Sequence, residues 1–171
     1  AWIDHILFIL TLIICLPKTK RILSVITTFS IAHCLTIVLG WLSIITLSSS
    51  IVEPMIVISI ILMAVYAIFQ KVWEEKKLIP EIVIIFILGL FHGLWFAWFF
   101  QSILDTSSNI VFPILAFNIW VEIGQIIIIL IALFVLKYVY KFAWKKENTI
   151  KNILCIIFIL VASFWLLQKF G

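Results

Sequence analysis

Apolar residues run in six long stretches separated by short polar or charged connectors. The stretches cover about residues 2–16, 22–47, 52–70, 81–100, 110–136 and 150–167. Most approach the ~20 residues that an α-helix needs to cross a ~30 Å hydrocarbon core. A transmembrane barrel would instead show alternation over ~10 residues per strand. The pattern predicts an all-α, polytopic transmembrane bundle of six spans. The first stretch is short for a span. The fifth opens after Asn109 and carries Pro113 in its first turn. Every connector is too short to form a soluble domain, so the expectation is one domain over residues 1–171.

Composition agrees. The 171 residues are 65% hydrophobic and only 12% charged, with a mean hydropathy of +1.33. A soluble domain is nearer ~25% charged. The net charge of +4 does not point to nucleic acid, because the positive residues sit in short connectors without interleaved exposed aromatics. Cys15, Cys34 and Cys155 lie inside apolar runs without CxxC spacing, which reads as buried thiols rather than a disulfide framework.

The connectors alternate in charge. The first holds Lys18, Lys20 and Arg21, the third Lys71, Lys76 and Lys77 with Glu74 and Glu75, and the fifth Lys137, Lys141, Lys145, Lys146 and Lys151. The second (Ser48, Ser49, Ser50) and the fourth (residues 101–109) hold no Lys or Arg. The positive-inside rule places the odd connectors in the cytoplasm and both termini outside. An outer N-terminus fits removal of a signal peptide ahead of Ala1.

Ionisable groups interrupt this apolar background. Asp4 and His5 begin the first span and Glu53 begins the third, all near the outer surface. His33, His92 and Glu122 lie mid-span in the second, fourth and fifth. Each such group costs roughly 3 kcal/mol to insert, and those retained usually face a cavity or each other. The set outlines a polar route from an outer mouth to the midplane. In the fifth span Asn118, Glu122 and Gln125 recur at i, i+4 and i+7, on one helix face. They line a site, or they serve as interhelical hydrogen-bond glue. In the fourth, Gly89-Leu90-Phe91-His92-Gly93 sets a histidine between small residues that admit a close helix crossing. In the second, Ser30, His33 and Thr36 are spaced by three, with Gly40 on the same side; hydroxyls there could orient the ring. Asp4 is also an ordinary helix cap, and Glu53-Pro54 an ordinary helix start. Imidazole with carboxylate suits intermediate divalent metals such as Ni, Co, Zn, Fe and Mn, whereas a Cu(I) site would want clustered Cys and Met. The aromatic residues fit interfacial belts and bundle packing.

These residues also carry a resemblance. Asp4-His5-Ile6-Leu7-Phe8, Thr28-Phe29-Ser30-Ile31-Ala32-His33 with Thr36, and Val52-Glu53-Pro54 with Ser59 resemble the hydrogenase/urease accessory family HupE/UreJ. Gly89-Leu90-Phe91-His92-Gly93-Leu94 with Phe96-Ala97, and Phe117-Asn118 with Val121-Glu122-Ile123-Gly124-Gln125, continue it in order over about residues 1–130. Trp95 stands where the family often has Gly, so local packing there differs. The resemblance implies a small permease of the bacterial inner membrane that passes nickel, or a related divalent cation, for hydrogenase or urease maturation. It implies metal handling by Asp4, His5, His33, His92 and Glu122; the spacing read above adds Asn118, Gln125, Glu53, Ser30 and Thr36 as residues of the pathway or as partners that orient the ligands. The expected partners are the bilayer, the divalent ion, and a metallochaperone or a second copy. No prosthetic group is expected.

Two other classes fit the same residues. One is an intramembrane metal-dependent hydrolase, with Glu122 as general base to a metal-bound water. The other is a metal-free assembly scaffold whose polar residues bond to one another. HExxH, GxSxG and phosphate-binding glycine loops are absent from the chain.

Overall fold

The computed structural model describes residues 2–15, 19–69, 78–103, 111–142 and 146–170. Among them every regular element is a helix: α1 Trp2–Cys15, α2 Thr19–Trp41, α3 Ser49–Ile68, α4 Leu78–Ile103, α5 Val111–Phe142 and α6 Glu147–Phe170. Five of these, α2 to α6, are long and apolar enough to cross a membrane. The apolar part of α1, Ile3–Ile14, is shorter. Lys18, Lys71, Glu74, Glu75, Lys76, Lys77, Lys145 and Asn109 lie outside the described residues, as do the side chains of Cys15, Lys20 and Arg21.

Three differences between the helix ends and the hydropathy boundaries change the picture of the connectors. α2 stops at Trp41, six residues before the apolar run does. Ser43 adopts a left-handed φ of 57°. The Ser43 amide then donates to Gly40 O and the Ile44 amide to Leu39 O, each at 3.0 Å. This pair of bonds is a Schellman motif, which satisfies carbonyls that would otherwise end unbonded. The true connector is therefore residues 42–48. Ser49 and Ser50 belong to α3, whose first bonds run from Ile51 N and Val52 N to Ser48 O. Glu53 and Pro54 consequently lie inside α3, past its first turn.

The third difference concerns the last connector. α5 continues through Lys137 and Lys141, and α6 begins at Glu147, so Lys151 is helical rather than in a solvated link. Its side chain is 2% exposed. Its ammonium donates to Ala67 O at 2.5 Å. Ala67 is in the last turn of α3, where carbonyls lack helical partners and the helix dipole favours a cation.

The chain divides into two compact units. The first comprises Ala1–Ile22, Val57–Lys76 and Gln125–Gly171; the second comprises Leu23–Ile56 and Lys77–Gly124. The helices α3 and α5 each supply a segment to both. Buried positions of the first unit include Phe8, Leu12, Ile13, Ile60, Ala64, Ile129 and Ala162. The second is centred on Ile37, Phe96, Phe100 and Ile114, with Trp41, Trp95 and Phe117 against them. A smaller cluster joins Val52, Ile56 and Leu94.

Candidate metal-handling site

Within the second unit, α2 and α4 cross backbone to backbone. A Cβ placed on Gly89 would stand 2.9 Å from both Phe29 O and Ala32 Cβ. One on Gly93 would collide with His33 O and with Thr36, and one on Gly40 would come within 2.5 Å of Ala97 Cβ. In lipid the hydrophobic effect does not drive helices together, and small residues strengthen van der Waals packing by letting backbones approach. Both mid-span histidines sit at this crossing.

His33 on α2 and His92 on α4 share Phe29 as a neighbour. The His33 ring stacks on Phe29, with centroids 5.8 Å apart and planes 19° apart. The His92 ring meets Phe29 edge-on at 5.2 Å and 68°. Phe96 approaches His33 from α4, edge-on at 5.1 Å. Both imidazoles are at most 1% exposed. The aromatic wall continues into α5 through Phe117, whose ring centroid is 4.8 Å from those of Phe96 and Phe100.

One bond sets the chemistry of His92. Its Nδ1 lies 2.9 Å from Leu88 O, one turn back on α4. A carbonyl only accepts, so Nδ1 carries the proton. In the neutral ring the lone pair is then on Nε2. Metal-binding histidines are commonly oriented in this way, one ring N–H given to a backbone carbonyl and the other nitrogen turned to the ion.

The remaining expected positions are placed as follows. The Thr36 hydroxyl donates to Ala32 O at 2.6 Å, so its proton goes to its own helix rather than to an imidazole. Ser30 is half-buried one turn before His33. Glu53 accepts a hydrogen bond at 3.2 Å from the indole Nε1 of Trp95, one turn beyond His92. Asn118 Nδ2 donates to Ile114 O at 2.9 Å, again within its own helix. Glu122 is half-buried and within electrostatic range of Cys34. Cys34 and Cys155 are both free thiols. In the first unit, Asp4 lies in the first turn of α1, and His5, Ser59 and Gln125 are buried. Among the described residues, no three His, Cys, Asp or Glu form a group that could hold a metal ion. The second unit thus holds two imidazoles, His33 and His92, packed against the same Phe29 ring, and a hydrogen bond between Trp95 and Glu53.

The sequence marks Trp95 only as a departure from Gly and assigns Phe29 no role, yet both belong to this site. Trp95 follows the His-Gly block directly, and a departure from Gly there was the available signal. Phe29 precedes His33 by one helical turn, which places it on the same face.

The helices and their composition define a polytopic α-helical integral membrane protein with two imidazoles buried at a tight helix crossing. The chain belongs to the HupE / UreJ protein family, whose family model matches residues 2–169. That match takes in α6, which the sequence blocks ending near residue 130 did not reach. No curated protein and no solved structure matches the chain significantly.

Proposed function

We propose that the protein is a permease of the bacterial cytoplasmic membrane that passes a divalent transition metal, nickel or cobalt, inward for metalloenzyme maturation. Membership of the HupE / UreJ family supports a metal-related role. The observation that carries the reading is the burial of both His33 and His92 against Phe29 at the α2–α4 crossing, with the His92 lone pair directed to Nε2 by the Leu88 carbonyl. Neutral imidazole is a good donor for intermediate divalent ions. Two such donors, completed by water or neutral oxygens, hold an ion without trapping it, and a conducting site must also release.

The charge pattern orients the chain. Six spans with basic odd connectors put both termini and residues 42–48 on the outer side. An ion arriving there would meet the end of α2 first and the histidine pair second. Glu53, held by Trp95, adds a carboxylate at the intermediate level. A catalytic zinc would call for three tight protein ligands and one open position. Retention or loss of bound metal separates that reading from passage.

The test is uptake into proteoliposomes. His33→Ala and His92→Ala should each cut nickel or cobalt uptake at least ten-fold (~1.4 kcal/mol) while the protein still inserts and folds. Unchanged uptake of Ni, Co, Zn, Fe and Mn in both variants would end the permease reading. Metal bound to the purified protein should be lost to a mild chelator, whereas a resident catalytic ion would be kept.

A further inference from the structure

The end of α2 encloses a second feature that the histidine pair does not account for. A cavity of about 280 Å³ is lined by Gly40, Thr46, Ser48, Leu94, Ala97 and Gln101, with Ile45, Leu47 and Trp98 at its edge. All of these belong to the second unit. Its polar groups are neutral: the hydroxyls of Thr46 and Ser48 and the carboxamide oxygen of Gln101, the Gly40 carbonyl being already bonded to the Ser43 amide and to Gln101 Nε2. Among the described residues, no His, Lys, Arg, Asp or Glu lines it.

The cavity is built, not left over. Gln101 Nε2 donates to Gly40 O at 2.6 Å and ties α4 to the end of α2. The Schellman turn at Ser43 redirects residues 44–48, and it does so with a left-handed serine where glycine would be easier. Gly40 admits Ala97 at the floor. Strained backbone of this kind persists where the surrounding structure over-determines it, often at functional sites.

We infer that this cavity is an outer vestibule that receives the divalent cation still wearing its water shell, before the histidines replace those waters. The inference rests on the permease reading for the identity and direction of the ion. Volume fits: at ~30 Å³ per liquid water, 280 Å³ holds about nine waters, enough for an octahedral aquo-ion. Electrostatics fit: the C-terminal end of α2 carries about half a negative charge, and no Lys or Arg among the described residues lines the cavity. Donor chemistry fits: neutral oxygens bond well to coordinated water and compete poorly for the ion itself. Register fits: Gly40 is seven residues past His33, two turns or ~10 Å along one face of α2. Holding and stripping are thus separated along a single helix.

Hexamminecobalt(III) tests this, because its ammines do not exchange and it cannot bind histidine or thiolate directly. In a variant with Cys15, Cys34 and Cys155 changed to Ala, Ser48→Cys should react with a membrane-impermeant maleimide added outside. The complex should slow that labelling several-fold. In uptake assays it should compete with nickel, and Gln101→Leu should raise the nickel KM several-fold with kcat kept. His92→Ala should lower kcat instead. Labelling at full rate in the presence of the complex overturns the vestibule, as does an unchanged KM in Gln101→Leu. If the histidine variants leave uptake unchanged, the permease reading falls while the labelling result still decides whether a hydrated cation is held.

Discussion

A methyl group on Gly93 would overlap the backbone carbonyl oxygen of His33. The imidazole-bearing turn of α2 is therefore seated directly against α4, at the residue that follows His92. Gly93→Ala should destabilise the protein by about 1–3 kcal/mol, the usual cost of overpacking. Uptake should fall with it, because the two rings are positioned by the same contact. Thermal unfolding in detergent, followed by uptake, checks both.

Gly124 provides the contrast. Among the described residues, nothing lies within 4 Å of where its Cβ would be. Gly124→Ala should leave uptake unchanged and raise stability slightly, by up to ~1 kcal/mol, since Ala is the better helix former. A loss as large as that of Gly93→Ala in the same unfolding assay would contradict the description of the α2–α4 contact as the special one.

Trp95→Phe removes the donor to Glu53 while keeping an aromatic ring between Phe96 and Phe99. The expected stability cost is about 1 kcal/mol, at the low end for a bond to a charged acceptor because Glu53 is only half-buried. Glu53→Gln should cost a similar amount. The double variant should cost less than the sum, which a double-mutant cycle on unfolding free energies reads out.

Ser43→Gly relieves a left-handed residue at the end of α2. A gain of about 1 kcal/mol is expected from the lower cost of that conformation. Chemical denaturation of the purified protein measures it.

Lys151→Met keeps a long apolar stem but removes the ammonium that caps Ala67 O. The carbonyl is left without that donor at a buried site, at a cost of about 1–2 kcal/mol. The transition temperature should drop accordingly, with little change in uptake at low temperature.

Much of this architecture was readable in the chain. The apolar stretches marked all six helices, and small residues around His92 marked a close crossing that the structure places against His33. Other features depended on information that hydropathy does not carry. Leu42, Ile44, Ile45 and Leu47 look like continuing span, and the stop at Trp41 comes from one left-handed serine. Lys151 looks like a solvated connector charge, yet tertiary placement buries it against a helix end. The stripe of Asn118, Glu122 and Gln125 shares a helical face, but Asn118 bonds its own backbone and Gln125 belongs to the other unit. Helical periodicity reports a face; it does not report which neighbour that face meets.

X-ray absorption at the nickel edge tests the central claim most directly. Protein loaded with one equivalent of nickel should show imidazole scattering from two rings, from one ring in His33→Ala or His92→Ala, and from none in the double variant. Imidazole scattering that persists unchanged when both histidines are replaced would contradict the account.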